Sequence, residues 1–127
     1  WHYSTFSHFR NRVILPFRHK GKVVGYTARW IGTVPNKETP KYYVQQPKHF
    51  VYGLDRTKDK KITIVTEGQF DAVAIDGEAI GGNNMSLTQS KIIEQTGNQI
   101  ILLPDADVAG RKLVQQAIKR GWKARCR

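Results

Sequence analysis

A chain of 127 residues fits one domain or two small subdomains, and its 39% hydrophobic content supplies a modest core. No apolar run reaches the ~20 residues of a membrane span, no secretory signal is visible, and the single cysteine, Cys126, excludes an internal disulfide and a cysteine-based metal cage. The net charge of +11, from 21 basic and 10 acidic residues, suits either a polyanionic partner or a solubilising surface.

Along the chain the first half reads as β-rich. Residues 12–18 and 22–30 flank His19-Lys20-Gly21, a hairpin signal in which Gly21 supplies positive φ. Pro16 has no N–H, so its strand is expected at an edge or bulged. Residues 32–40 hold Gly32, Pro35, Asn36 and Pro40 and read as a loop, and 41–44 as a short strand. Residues 55–61 are charged and polar, as in a linker, which gives an expected division into 1–60 and 61–127. Lys and Arg dominate residues 1–61, opposed only by Glu38, Asp55 and Asp59, whereas acids gather between Glu67 and Asp107. A basic front half with an acidic site suits a nucleic-acid track leading to a metal centre.

The second half alternates strand and helix. A strand over 62–66 precedes a helix over about 69–77, and a short strand near 78–81 leads into the turn Gly81-Gly82-Asn83-Asn84. Ser86-Leu87-Thr88-Gln89 matches a capping box and predicts a helix over about 87–95, with Gly97 just past its end. A strand over 99–103 and a helix over about 108–120 follow, with Val114, Ala117 and Ile118 on one helix face. Trp122 to Cys126 could open a fourth strand. Such alternation predicts an α/β fold with a parallel sheet.

Glu67, Asp105 and Asp107 each stand where a strand ends and a helix begins, the edge at which ligands bind in open parallel sheets. Clustered carboxylates there offer Mg²⁺ the hard oxygen ligands it prefers. Gly68 lets the chain turn closely, and Asp71 falls in the first turn of the following helix, where its charge also suits the dipole. Alone, Glu67 and Asp71 read better as an exposed strand-end residue and a helix N-terminal charge than as a site. Asp105 and Asp107, at i and i+2, face one side of an extended segment, and Asp107 is also placed to cap the next helix.

The series Glu67-Gly68-x-x-Asp71 followed by Asp105-x-Asp107-x-Ala109-Gly110 resembles the Toprim domain, shared by DnaG-type primases, topoisomerases, OLD-family nucleases and RecR-like proteins. Arg10 to Arg18, then Gly21 to Tyr26, then Thr39-Pro40-Lys41-Tyr42, then Tyr52-Gly53-Leu54 occur in the order seen in the RNA polymerase core of bacterial and phage DnaG-type primases. The resemblance covers roughly residues 10–121. It implies a Toprim-like parallel sheet flanked by helices, with a small β-rich, basic N-terminal subdomain.

It further implies metal-dependent synthesis of short RNA primers on single-stranded DNA from ribonucleoside triphosphates, in the cytoplasm of a bacterium or phage-infected host, beside a replicative helicase. Glu67, Asp105 and Asp107 would hold Mg²⁺ or Mn²⁺, with Asp71 supporting them. Arg10, Arg12, Lys41, Tyr42 and Lys48 would contact template or nucleotide. Trp30, Tyr42 or Tyr43 could stack bases, with core packing the expected role for at least two. No zinc-ligand set is present. The family has an asparagine shortly after Lys-Tyr where this chain has Tyr43-Val44-Gln45, and a later acidic motif beyond Arg127, so a C-terminally truncated Toprim domain is expected. The Pro104-to-Asp107 wording and the short front half resemble phage members. A Toprim nuclease and a non-catalytic primase-like module of a helicase remain as alternatives. The front-half motifs weigh against the first and the intact acids against the second.

Overall fold

Two sheets organise the chain in the computed structural model, which describes residues 2–4 as backbone and residues 9–125 in full. Residues 1–48 form one compact unit and 49–127 another.

In the first unit, β1 (His2–Ser4), β2 (Arg12–His19), β3 (Lys22–Trp30) and β4 (Tyr42–Gln45) make an antiparallel sheet in the order β1-β2-β3-β4. The expected hairpin is present. Lys20 and Gly21 both take positive φ, 51° and 80°, as a two-residue type I′ turn requires. Pro16 pairs with Tyr26 beyond the stretch of β2 that β1 covers, and a register shift follows at Phe17/Arg18. A missing N–H is therefore tolerated there. Leu15, Phe17 and Thr27 are buried on one face, and Ala28 with Arg12 on the other.

In the second unit, β5 (Ile62–Thr66), β6 (Glu78–Ala79), β7 (Gln99–Leu103) and β8 (Lys123–Ala124) form a parallel sheet in the order β6-β5-β7-β8. Its helices are α1 (Leu54–Thr57), α2 (Gln69–Ile75), α3 (Leu87–Glu94) and α4 (Val108–Lys119). Val65 and Leu102, paired across β5 and β7, centre a core that includes Ile80, Ile93, Leu113, Ala117 and Trp122. Each buried Val, Leu or Ile side chain among them contributes about 1.5–3 kcal/mol. The capping box on α3 forms in full between Ser86 and Gln89. On α4 the buried stripe is Gly110, Leu113 and Ala117. Ile118, expected inside, is 63% exposed because it lies one residue, about 100°, off that stripe. The fourth strand is the short β8, and Cys126 lies outside the described residues.

The expected linker at 55–61 is instead built into the second unit, so the units divide at Lys48/His49 and not near residue 60. Gly53, at φ 93°, opens α1, and a Cβ there would lie 2.4 Å from the Gly77 carbonyl. Tyr52 bridges to Ala79, and Arg56 and Lys60 pair with Asp76 at 3.2 and 2.5 Å.

Thr57 is buried and donates to Glu78 Oε2 at 2.5 Å. Glu78 is fully buried, and its Oε1 has no partner among the described residues. Burial pushes its carboxyl up to about 7, against the lowering effect of the Thr57 hydrogen bond. An acid whose folded pKa is raised favours the folded state below its unfolded value near 4.5, and that advantage is lost as pH rises through about 7. The penalty above pH 7 is on the order of 3 kcal/mol. Glu78→Gln is expected to raise stability at pH 8 by about 1–3 kcal/mol and to change it much less at pH 5. Urea unfolding at both pH values measures this, and an equal effect at the two would refute it.

Candidate functional site

The parallel register Thr66↔Leu103 brings the ends of β5 and β7 level, so Glu67 and Asp105 emerge at the same sheet edge. Glu67 is buried, and its Oε2 accepts the Asp105 backbone N–H at 2.5 Å. Its own carbonyl accepts from Gly81 N at 2.9 Å, tying in the loop after β6. Burial pushes the Glu67 carboxyl up. The Asp105 N–H lowers it, and the negative charges of Asp105 and Asp107 raise it further. Two further carboxylates thus act on Glu67 at this edge. Hard oxygen donors crowded by like charge are a donor set that a divalent cation relieves.

Asp105 and Asp107 are exposed, and Asp71 is half-buried in the first turn of α2. Asp107 caps α4, its Oδ1 accepting from Gly110 N at 2.7 Å. Among the described residues, no three His, Cys, Asp or Glu side chains stand at the spacing of a ready metal cage. Gly68 does not take the left-handed conformation. It is extended at φ −96°, and a Cβ on it would meet Asp71 Oδ2 at an ordinary 3.6 Å.

Gly110 enters the sequence reading only as the last member of the Asp105-to-Gly110 series, with no role of its own, and the structure gives it one in positioning. A Cβ at Gly110 would lie 1.9 Å from the Asp105 carbonyl oxygen. Asp107 N also donates to that oxygen at 2.9 Å. The first turn of α4 therefore rests directly on the Asp105 backbone, and no side chain fits between them.

In the first unit, Arg10, Lys41, Tyr42 and Lys48 are exposed. Lys41 Nζ and the Arg29 guanidinium lie 5.9 and 6.0 Å from the Tyr42 ring centroid, within cation–π range, so Arg29 joins the residues expected from sequence. Arg12 differs from the others, being 1% exposed. Its Nη1 donates to the Ala28 and Lys41 carbonyls at 3.2 Å each, and Nη2 to the Pro40 carbonyl at 2.5 Å. Trp30 and Tyr43 flank its guanidinium at 5.4 and 4.0 Å. Among the candidate stacking aromatics, Tyr42 is the one on the surface, at 44% exposure.

The Toprim-like family profile matches residues 64–127. Across 85% of its length the chain is 34% identical to the DNA primase of Buchnera aphidicola subsp. Baizongia pistaciae, covering 21% of that protein. Across 94% it is 28% identical to the DNA primase of Clostridium acetobutylicum, again covering 21%. The chain thus spans about a fifth of the length of these curated relatives. Among solved structures it is similar to a DnaG catalytic core, with a TM-score of 0.70 and 25% identity over 92% of this chain and 44% of that one. It is equally similar to a DnaG primase catalytic domain bound to ssDNA, with a TM-score of 0.70 and 25% identity over 93% of this chain and 44% of that one.

Gly110→Ala is expected to destabilise the chain by about 1–3 kcal/mol, because the clash is with backbone. Gly82→Ala, where a Cβ meets nothing within 4 Å, should leave stability within about 0.5 kcal/mol. Paired thermal melts test this, and equal melting points for the two variants would contradict it.

Proposed function

We propose, for a chain that belongs to the Toprim-like family, that it is part of a DNA primase catalytic core and serves template-directed RNA primer synthesis on single-stranded DNA. The observation that carries this reading is the joining of Glu67 to Asp105 at one sheet edge, with the charges of Asp105 and Asp107 both acting on Glu67. The primase relatives and the likeness to a DnaG domain bound to ssDNA support it.

In the reaction, a primer 3′-oxygen attacks the α-phosphorus of a ribonucleoside triphosphate. A new P–O bond forms, pyrophosphate leaves, and the 3′-hydroxyl proton passes to solvent. Glu67, Asp105 and Asp107 would hold Mg²⁺ or Mn²⁺, with Asp71 beside them. That ion, when bound, supplies positive charge for the phosphate oxygens. Glu67 holds the Asp105 backbone and the α4 cap holds the Asp107 carboxylate, so the loop that carries both acids is ordered before substrate arrives. Arg10, Arg29, Lys41 and Lys48 offer cations to template or triphosphate oxygens, and Tyr42 offers a face on which a base can stack. No helix among the described residues is long and apolar enough to cross a membrane.

The test is primer synthesis by this chain on single-stranded DNA, with labelled ribonucleotides and Mg²⁺ or Mn²⁺. Short RNA products are expected, reduced about a hundredfold or more by Asp105→Asn while DNA binding is retained. Lys41→Ala should weaken DNA binding and lower the slope of log affinity against log salt by about 1. Shortening of the template in place of RNA synthesis would sink the polymerase reading in favour of a nuclease.

A further inference from the structure

We infer that Arg12 is a positioning residue, which acts on nucleic acid only by setting the Pro40-Lys41-Tyr42 segment. This rests on the reading of Lys41 and Tyr42 as contacts. The segment closes the long loop between β3 and β4, where the chain must return from residues 31–39 and enter β4 in register. Pro40 brings no N–H to that junction. The Lys41 carbonyl accepts from both Trp30 N, at 2.8 Å, and Arg12 Nη1. The Pro40 carbonyl accepts from Arg12 Nη2. Arg12 Nη1 also reaches the Ala28 carbonyl on β3. One guanidinium therefore clamps the end of the loop to the strand beside it.

Burial at 1% exposure leaves Arg12 no surface with which to touch a template. The carbonyls and the two ring faces occupy its plane and edges. No carboxylate pairs with it among the described residues, so its charge is balanced by carbonyl dipoles and by the Trp30 and Tyr43 rings. The arrangement needs arginine specifically. A planar fork can serve three carbonyls while lying against an aromatic face, and a lysine ammonium cannot. The side chains displayed as a result are Lys41 and Tyr42, with Arg29 paired opposite Tyr42 in the β3–β4 register.

The inference is tested by a double-mutant cycle on the chain, with a fluorescently labelled oligothymidylate as probe. Wild type, Arg12→Met, Lys41→Ala and the double variant are titrated at several salt concentrations, below each variant's melting range. Arg12→Met is expected to weaken binding about three- to tenfold, comparably to Lys41→Ala, and to add little in the Lys41→Ala background. Arg12→Lys should behave like Arg12→Met although it keeps the charge. If Arg12→Met does not fold, the cycle is run with Arg12→Lys. Multiplying effects of the two substitutions, or wild-type affinity in the Arg12 variant, would overturn the positioning role. Wild-type affinity in Lys41→Ala would instead remove Lys41 as a contact, and the positioning role with it.

Discussion

The parallel pairing of β5 with β7 is the constraint on which the acidic site depends. Because Ile62 pairs with Gln99 and Thr66 with Leu103, the two strands end together. The residues that follow, far apart in sequence, are delivered to one edge at one height. Val65 and Leu102 are fully buried at the centre of that pairing, so a one-residue slip of either strand would turn its own residue out of the core. The hydrophobic pattern that folds the sheet thereby also sets the spacing of Glu67 and Asp105. The hydrogen bond between the Glu67 carboxylate and the Asp105 N–H then fastens the two loops that the register has aligned.

Much of this was legible because local signals and tertiary demands agree. The runs 62–66 and 99–103 are short, apolar and bounded by turns. Ser86 and Gln89 satisfy each other's backbone wherever they occur. The Lys20-Gly21 turn has the chemistry its φ angles need. The signals failed where a charged sequence had a buried destination. Residues 55–61 look like a solvated linker, yet Thr57 is fully buried and Arg56 and Lys60 hold Asp76. Nothing local announces that, because the partner lies on the far side of α2.

Arg10 and Arg12 show the same limit at the site itself. The two arginines enter together through the family resemblance, and in an extended segment residues two apart would share a face. Asn11 between them takes φ 57°, a left-handed conformation that asparagine tolerates better than most residues. The alternation is broken there, leaving Arg10 exposed and Arg12 inside. A single backbone angle thus separates a residue able to meet solvent phosphate from one committed to the fold, and periodicity carries no trace of it.

Among the described residues three charged side chains, Arg12, Glu67 and Glu78, are buried, and each meets the cost of desolvation differently. Glu78 takes a hydroxyl hydrogen bond and has its pKa pushed to about 7, so near neutral pH it can shed its charge. Arg12 cannot shed its charge, and instead gathers carbonyls and aromatic faces. Glu67 takes a backbone amide while two other acids press on it. The last two solutions recruit backbone from a neighbouring segment, and in both cases that segment carries exposed groups: Lys41 and Tyr42 after Pro40, and Asp105 before Asp107. Burying a charge against the backbone of a loop is a way to hold that loop while leaving its own side chains outward. It explains why Lys41, Tyr42 and Asp105 are exposed while Arg12 and Glu67, which hold their backbone, are not.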